Sequence, residues 1–468
     1  MTSAPAGAPG RPPGADGAER VDPSASDPVS AGRRVRRNVP RSAHGAWTPG
    51  PDRADPVDIL EAQAATRVPE LVPIRYGRMA ASRFAFLRGA PAIMAADLAA
   101  APNTGLTVQL CGDAHLCNFG LFASPERALL FDLNDFDETL PGPFEWDVKR
   151  LAASIAVAAR ENGEPDDSAR AVAQSSARAY RLAMRRLAGL GELDVWYERV
   201  DTAELLPLIQ ASKYRKRVRT TIAKARARTS LQALAKLTEP GPDGEPRIIH
   251  DPPLLEPINR DDLPRLQQIL LDYRDTLPEE RAALLDRFEL VDAARKVVGV
   301  GSVGTRCHIG LFRARATGEP LFLQVKEAER SVLEPHLAPS AHRHQGRRVV
   351  AGQRRLQAVS DIFLGWATGP AGRHFYWRQL RDMKGSAVID GMPRELLDGY
   401  AELCGRTLAR GHARTGDRVA IAAYLGSGDV FDRAIADFAL TYTDLTGADH
   451  AALTAAIDSG RITARPGV

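Results

Sequence analysis

The run Lys296-Val297-Val298-Gly299-Val300-Gly301-Ser302-Val303-Gly304-Thr305-Arg306-Cys307-His308-Ile309-Gly310-Leu311-Phe312 decides the fold. Its glycines follow a G-x-G-x-x-G spacing, which by itself fits two architectures. A dinucleotide-binding unit needs a helix directly after the glycines. Thr305–Phe312 is instead a poor helix and a good strand, and Lys296–Val300 is β-rich too. Strand, glycine turn, strand is a hairpin that covers phosphate groups, and a lysine-bearing strand should follow it. Thr317-Gly318-Glu319-Pro320 makes the intervening turn, and Leu323-Gln324-Val325-Lys326 supplies that strand. Gly299, Gly301, Ser302 and Gly304 are therefore the expected phosphate cover, and Lys326 the expected phosphate clamp. Taken alone, the same residues also read as a plain hairpin with an exposed lysine.

Working toward the N-terminus, two polar clusters stand at predicted strand ends. Cys111-Gly112-Asp113-Ala114-His115-Leu116-Cys117-Asn118 follows the strand Leu106–Leu110, and Phe131-Asp132-Leu133-Asn134-Asp135-Phe136-Asp137-Glu138 overlaps the end of the strand Ala128–Leu133. The two strands are expected to form a hairpin-like unit, with Phe119 to Arg127 as the turn. Asp113 is placed to accept a proton from a hydroxyl, and His115 to orient the loop or a substrate. Asn118 offers an amide oxygen to a divalent cation, and Asp135 and Asp137 offer carboxylates. Phosphoryl transfer asks for these roles close together, because it depends on positioning and charge neutralisation. A metal-dependent hydrolase using Asp113, His115, Asn118, Asp135 and Asp137 alone is the rival chemistry, although no second His-rich motif accompanies the cluster.

The rest of the chain bounds these readings. With 468 residues, 44% hydrophobic and 26% charged, it can bury a substantial core, and a wholly disordered chain is excluded. A net charge of +4 is too small at this length to indicate nucleic acid as a partner. The four cysteines show no C-x-x-C spacing, which argues against a zinc site, and they are too few for a disulfide framework. No run of about 18 apolar residues occurs, so no membrane span is expected. Paired arginines at Arg33-Arg34 and Arg36-Arg37 precede no apolar stretch, and a cytoplasmic location is expected. Residues 1–56, rich in Pro, Gly and Ala, read as a disordered tail. Residues 57–294 read as a helix-rich lobe with a helical insertion, residues 295–395 as a small β-rich lobe, and residues 396–468 as helices returning to the first lobe. Within the insertion, residues 213–228 carry eight cations and no acid, which reads as a solvated helix face or a polyanion contact. Arg75, Arg78 and Arg88 precede the Asp113 strand and are placed either for phosphate or an acidic substrate, or for structural ion pairs. His336, His342 and His344 lack carboxylate companions and make poor metal geometry.

At these residues a resemblance enters. The loop around Asp113 resembles the H-G-D-x-H-x-x-N catalytic loop of aminoglycoside phosphotransferase-like kinases, with Cys111 where that pattern has His. Asn134-Asp135-Phe136-Asp137 through Trp146-Asp147 resembles their metal-binding stretch. This resemblance implies Asp113 as catalytic base, Asn118 and Asp135 as magnesium ligands, and Asp147 as a helix-anchoring aspartate. It also implies ATP and Mg²⁺ as cofactors and a small-molecule acceptor as partner. The phrases CGDAHLCNFG and FDLNDFDETLPGPFEWDVKRLAAS are similar to a widespread uncharacterised bacterial family over roughly residues 58–450. Kinases place the glycine loop and lysine before the catalytic loop, whereas here they follow it. The implied fold is therefore α+β, a two-lobed protein-kinase-like fold in circularly permuted order, with a helix-rich lobe and a small antiparallel-sheet lobe. The resemblance calls for a glutamate partner to Lys326, and Glu329 and Glu334 are the candidates. A nucleotide-binding protein without catalysis is the third reading.

Overall fold

The computed structural model describes residues 27–205, 212–242, 244–258, 263–380 and 382–468. The expected tail up to residue 26, and residues 206–211, 243 and 259–262 of the expected helical insertion, lie outside the described residues. The architecture is mixed α+β with antiparallel sheets. Among the described residues no helix is long and apolar enough to cross a membrane.

The glycine-rich run does fold as strand, turn and strand. Phe288–Lys296 and Cys307–Ala314 flank it, and Pro320–Glu327 pairs with the second of them. These three lie in a six-stranded antiparallel sheet, ordered Gly365–Thr368, His374–Gln379, Pro320–Glu327, Cys307–Ala314, Phe288–Lys296, Leu255–Pro257. Pro320–Glu327 is buried on both faces, and its side chains alternate as a strand requires. Leu321, Leu323 and Val325 join Tyr273, Leu277 and Trp377 under the helices Leu263–Arg274 and Glu279–Leu285. Phe322 faces the other way, against Ala233 and Leu237 of the helix Ser230–Leu237. Lys326 has the same parity as Phe322, and its register partners are Tyr376 and Cys307.

Several expected boundaries move. The helix-rich lobe expected over 57–294 ends in a strand, because the β-rich FELVDAARK segment joins the sheet from Phe288. A lobe boundary between 294 and 295 would cut that strand, and Leu255–Pro257 also belongs to the sheet. The expected hairpin of Leu106–Leu110 with Ala128–Leu133 does not form. Thr107–Leu110 pairs with Leu140–Pro143, and Leu129–Leu133 pairs with Phe119–Ala123, which was read as turn. The apolar sequence FGLFA is buried at every position and takes a strand partner, confining the turn to Ser124–Ala128, where Ser124 N donates to Ala128 O. Between the lysine strand and Gly365–Thr368 a helix runs over Gln345–Leu356.

The helical body consists chiefly of Phe144–Glu161, Asp166–Leu187, Arg394–Ala413 and Val430–Asp458. Phe144–Glu161 is buried over nearly its whole length, and small residues such as Ala152, Ala156 and Ala159 let its neighbours approach closely. The segment from Asp27 onward is a correction to the expected tail. Asp27 caps a helix over Pro28–Asn38 by accepting from Val29 N and Ser30 N. Gly32 rests against the Ala420 carbonyl of the helix Arg418–Leu425, where any larger residue would clash. Arg36 Nε donates to Tyr424 O at 2.8 Å and Arg41 Nη1 to Leu425 O at 2.6 Å, satisfying carbonyls at that helix's C-terminus. Arg36 and Arg41 thus cap a helix, whereas Arg33, Arg34 and Arg37 are exposed.

His44 fixes the same segment more deeply. It is 1% exposed and its Nε2 lies 2.8 Å from Tyr424 Oη. Burial, with Lys149 nearby, presses its pKa down to about 3, so it folds as the neutral ring. The stability it contributes is complete above its unfolded value of about 6.5 and is lost progressively as pH falls toward about 3. The expected outcome is that His44→Gln lowers the thermal unfolding midpoint at about pH 7, and that the gap to wild type narrows at about pH 5. A gap that stays constant with pH would contradict this assignment.

Candidate active site

A cavity of about 810 Å³ opens between the glycine turn, the Asp113 and Asp135 loops, and the helices preceding the Asp113 strand. Asp113, His115, Asn118, Asp135 and Asp137 line it, as do Gly299, Gly301 and Ser302. Gly304 is turned away toward Arg67, and its carbonyl accepts from Val68 N at 2.8 Å. The structure thus gathers clusters that lie far apart in the chain.

The loop bearing Asp113 is held from behind. Gly112 adopts φ +88°, and a Cβ there would strike the Glu138 carbonyl, so only glycine fits. Asp147, in the first turn of Phe144–Glu161, accepts from Cys111 N at 2.7 Å and from Gly112 N at 3.0 Å. His412 Nε2 lies 3.2 Å from Asp147 Oδ2, and His412 Nδ1 lies 2.9 Å from Tyr180 Oη. A buried line from Tyr180 through His412 and Asp147 therefore fixes the backbone of this loop. His412 is the middle member of that line.

Asp113 Oδ1 accepts from Arg150 at 2.8 Å, and Asp113 Oδ2 lies 3.7 Å from His115 Nε2. Burial outweighs Arg150 and raises the Asp113 pKa above the usual aspartate value. Burial, with Arg88 and Arg150 adjacent, depresses His115 well below the ordinary imidazole value, so the ring is neutral. His115 Nδ1 accepts from Cys117 N at 3.2 Å. Asn118 Nδ2 donates to Asp113 O at 2.5 Å, which orients its amide within the loop.

Lys326 is buried behind the cavity wall and is not among its lining residues; its Nζ contacts Asp135 Oδ1 at 3.3 Å and Asp137 Oδ2 at 2.5 Å, which do line it. Tyr376 Oη, from the neighbouring strand, donates to Asp137 Oδ1 at 2.6 Å. Burial works against the Lys326 charge, but Asp135 and Asp137 outweigh it and hold the ammonium well above its ordinary range. Burial and the Asp137 charge push Asp135 up, whereas Lys326 and Tyr376 overcome burial to hold Asp137 down. Neither expected glutamate serves Lys326. Glu334 accepts from Arg330 at 2.8 Å, and Glu329 lines the cavity without reaching the amine. The helix Gln345–Leu356 instead supplies Arg348, which donates to the carbonyls of Thr139, Asp137 and Glu329.

The glycine turn is tethered through its carbonyls. Arg78 Nη1 donates to Gly299 O at 2.6 Å, and Arg67 Nη1 donates to Gly301 O at 2.9 Å and to Val303 O at 2.5 Å. No acceptor among the described residues takes the N–H of Gly301, Ser302 or Gly304. Arg67, Arg150 and Tyr376 were not singled out from the sequence. Only the strand register, which sets Tyr376 opposite Lys326, offered a signal for one of them.

The basic stretch expected over 213–228 falls mainly on the helix Ser212–Arg226, where Lys213, Lys216, Arg217, Arg219, Lys224 and Arg226 are exposed and Ile222 and Ala225 are buried.

The profile of DUF2252, described as an uncharacterized protein conserved in bacteria, matches residues 67–456, and the chain belongs to that family. No curated protein and no solved structure matches it.

The geometry makes Asp147 a structural anchor. Asp147→Asn is expected to cost about 2–4 kcal/mol in chemical denaturation, because it leaves buried donors poorly matched. Tyr180→Phe, one step further out, is expected to cost about 1 kcal/mol. Equal losses for the two variants would refute the order of this line.

Proposed function

We propose that this member of the family is an ATP- and Mg²⁺-dependent phosphotransferase on a circularly permuted, two-lobed kinase-like scaffold, acting on a hydroxyl of a small molecule. The observation that carries the reading is the contact of Lys326 with Asp135 and Asp137 at a cavity that Asp113, Asn118 and the glycine turn also line. A hairpin or an acidic loop alone would mean little. Their convergence on one cavity is what phosphoryl transfer requires.

The order of parts supports the permutation. Reading from Phe288 to Ala413 and resuming at Thr107 gives a glycine-turn hairpin, a lysine strand, a crossing helix, two more strands and a long helix. The Asp113 loop, a short hairpin and the Asp135 loop then follow. That is the sequence of parts by which kinases present phosphate cover, lysine, base and metal ligand.

In this reading Asp113 accepts the hydroxyl proton as the oxygen bonds to the γ-phosphorus and the bond to the β-bridging oxygen breaks, releasing ADP. Arg150 fixes Oδ1 and leaves Oδ2 for the proton. Burial, which raises the pKa, strengthens the carboxylate as a base. Lys326 turns its charge to the α/β phosphates, and His115 orients the loop. Asn118 and Asp135, with Asp137 assisting, would hold the Mg²⁺, which neutralises charge on the phosphate oxygens. Among the described residues no three His, Cys, Asp or Glu groups converge as a self-sufficient metal cage. The coordination of such an ion would be completed by substrate phosphates and water. One observation favours a nucleotide-binding protein without catalysis: the helix beside Lys326 contributes Arg348 and no glutamate.

Calorimetric titration with ATP, with and without Mg²⁺, tests the reading. Mg²⁺-dependent binding is expected, and its absence would sink the proposal. Asp113→Asn is expected to keep MgATP affinity within about threefold while phosphate transfer or slow ATP hydrolysis falls roughly 10²–10⁴-fold. Binding of MgATP by both proteins with no turnover above background in either would favour the non-catalytic reading.

A further inference from the structure

The cavity has a second wall that the reaction above does not use. It is built by helices ahead of the Asp113 strand, and it presents Arg67, Arg75 and Arg88. Arg75 is 0% exposed, and its Nη2 donates to Gln63 Oε1 at 2.9 Å and to Gly89 O at 3.0 Å. Its Nε and Nη1 are buried without a partner. The Nε atoms of Arg67 and Arg88 are in the same condition. No carboxylate among the described residues forms an ion pair with any of the three. Of the other buried arginines, Arg181 meets Asp432 at 2.7 Å and Arg410 meets Asp132 at 2.5 Å, whereas Arg348 is matched by three backbone carbonyls.

A guanidinium keeps its proton under all ordinary conditions, so it cannot escape burial by neutralising. Three such groups around one cavity, with donors left over and no direct ion pair, are costly unless something negative completes them, because the carboxylates that act on them, Glu138 and Glu329 on Arg67 and Asp113 on Arg88, do so from beyond ion-pair distance. Planar donors of this kind match the oxygens of a phosphate or carboxylate group. The charge of Arg88 is felt at Asp113 and at His115, which places it beside the proposed base.

We infer that Arg67, Arg75 and Arg88 form a subsite for a phosphate or carboxylate group on the small molecule whose hydroxyl lies at Asp113. The assignment of that molecule as phosphate acceptor rests on the phosphotransfer reading, whereas the anion subsite stands on the arginines. Arg67 and Arg75 also hold the glycine turn and the neighbouring helices, so their removal would disturb folding. Arg88 makes no such hydrogen bond and is the residue to vary.

The test titrates the full chain with glycerol 3-phosphate, glycerate and glycerol, in the presence and absence of saturating MgATP. At least one anionic probe is expected to bind and raise the thermal midpoint, glycerol is expected to do neither, and the stronger anion identifies phosphate or carboxylate. Arg88→Gln is expected to weaken that binding at least about tenfold, with MgATP affinity unchanged within about twofold. Failure of both anions to bind, binding unaltered by Arg88→Gln, or displacement of the anion by MgATP would overturn the inference. The last outcome would assign the arginines to the nucleotide's own phosphates and leave phosphotransfer standing. Arg88-dependent anion binding without any MgATP binding would uphold the subsite and count only against the phosphotransfer reading.

Discussion

A single buried ammonium holds the two halves of the site together. Lys326 extends from the middle of the six-stranded sheet and meets Asp135 and Asp137 on the loop that leaves the Phe119–Ala123 and Leu129–Leu133 hairpin. Two carboxylates this close would repel if both were ionised and uncompensated. A lysine 2% exposed would be equally costly alone. Each makes the other tolerable, and Tyr376 adds a donor from the adjacent strand. The pairing sets which sheet face looks into the cavity, and therefore where the glycine turn lies relative to Asp113.

The surroundings divide the remaining work. Behind Asp113, Tyr180, His412 and Asp147 fix the loop backbone from three different helices, so the carboxylate is positioned by the core of the helical body. On the sheet side, Arg348 occupies the inward position of Gln345–Leu356 and gathers three backbone carbonyls. This makes the region after Asp135 rigid through main-chain contacts and leaves Lys326 paired with the acidic loop itself. Above the cavity, Arg67 and Arg78 hold carbonyls of the glycine turn, and among the described residues the N–H groups of Gly301, Ser302 and Gly304 have no acceptor.

Much of this was legible in the sequence. The G-x-G-x-x-G run declared itself a hairpin because the residues after it are β-formers. Asp113, Asn118 and Asp135 stood out because acidic and amide groups followed apolar runs. Pairing partners were not legible: Thr107–Leu110 and Leu129–Leu133 look like natural neighbours in the chain, yet each takes another strand, since FGLFA buries better as a strand than as a turn. The order that begins at Asp27 was hidden by averaging over a Pro- and Gly-rich stretch, in which one aspartate cap and a few arginines aimed at carbonyls suffice. Arg67 and Arg150 were invisible for a different reason, because their roles exist only once distant segments meet.

The 191-residue separation of Asp135 from Lys326 has a bearing on how the protein is made. On a ribosome the acidic loop emerges first, and the strand that neutralises it follows many seconds later. Until then the helical body carries an electrostatically unfinished surface, and contacts of such long range form slowly. Completion of the cavity is thereby set late in biogenesis, because the helices Arg394–Ala413 and Val430–Asp458 of the helical body also follow Lys326 in the chain.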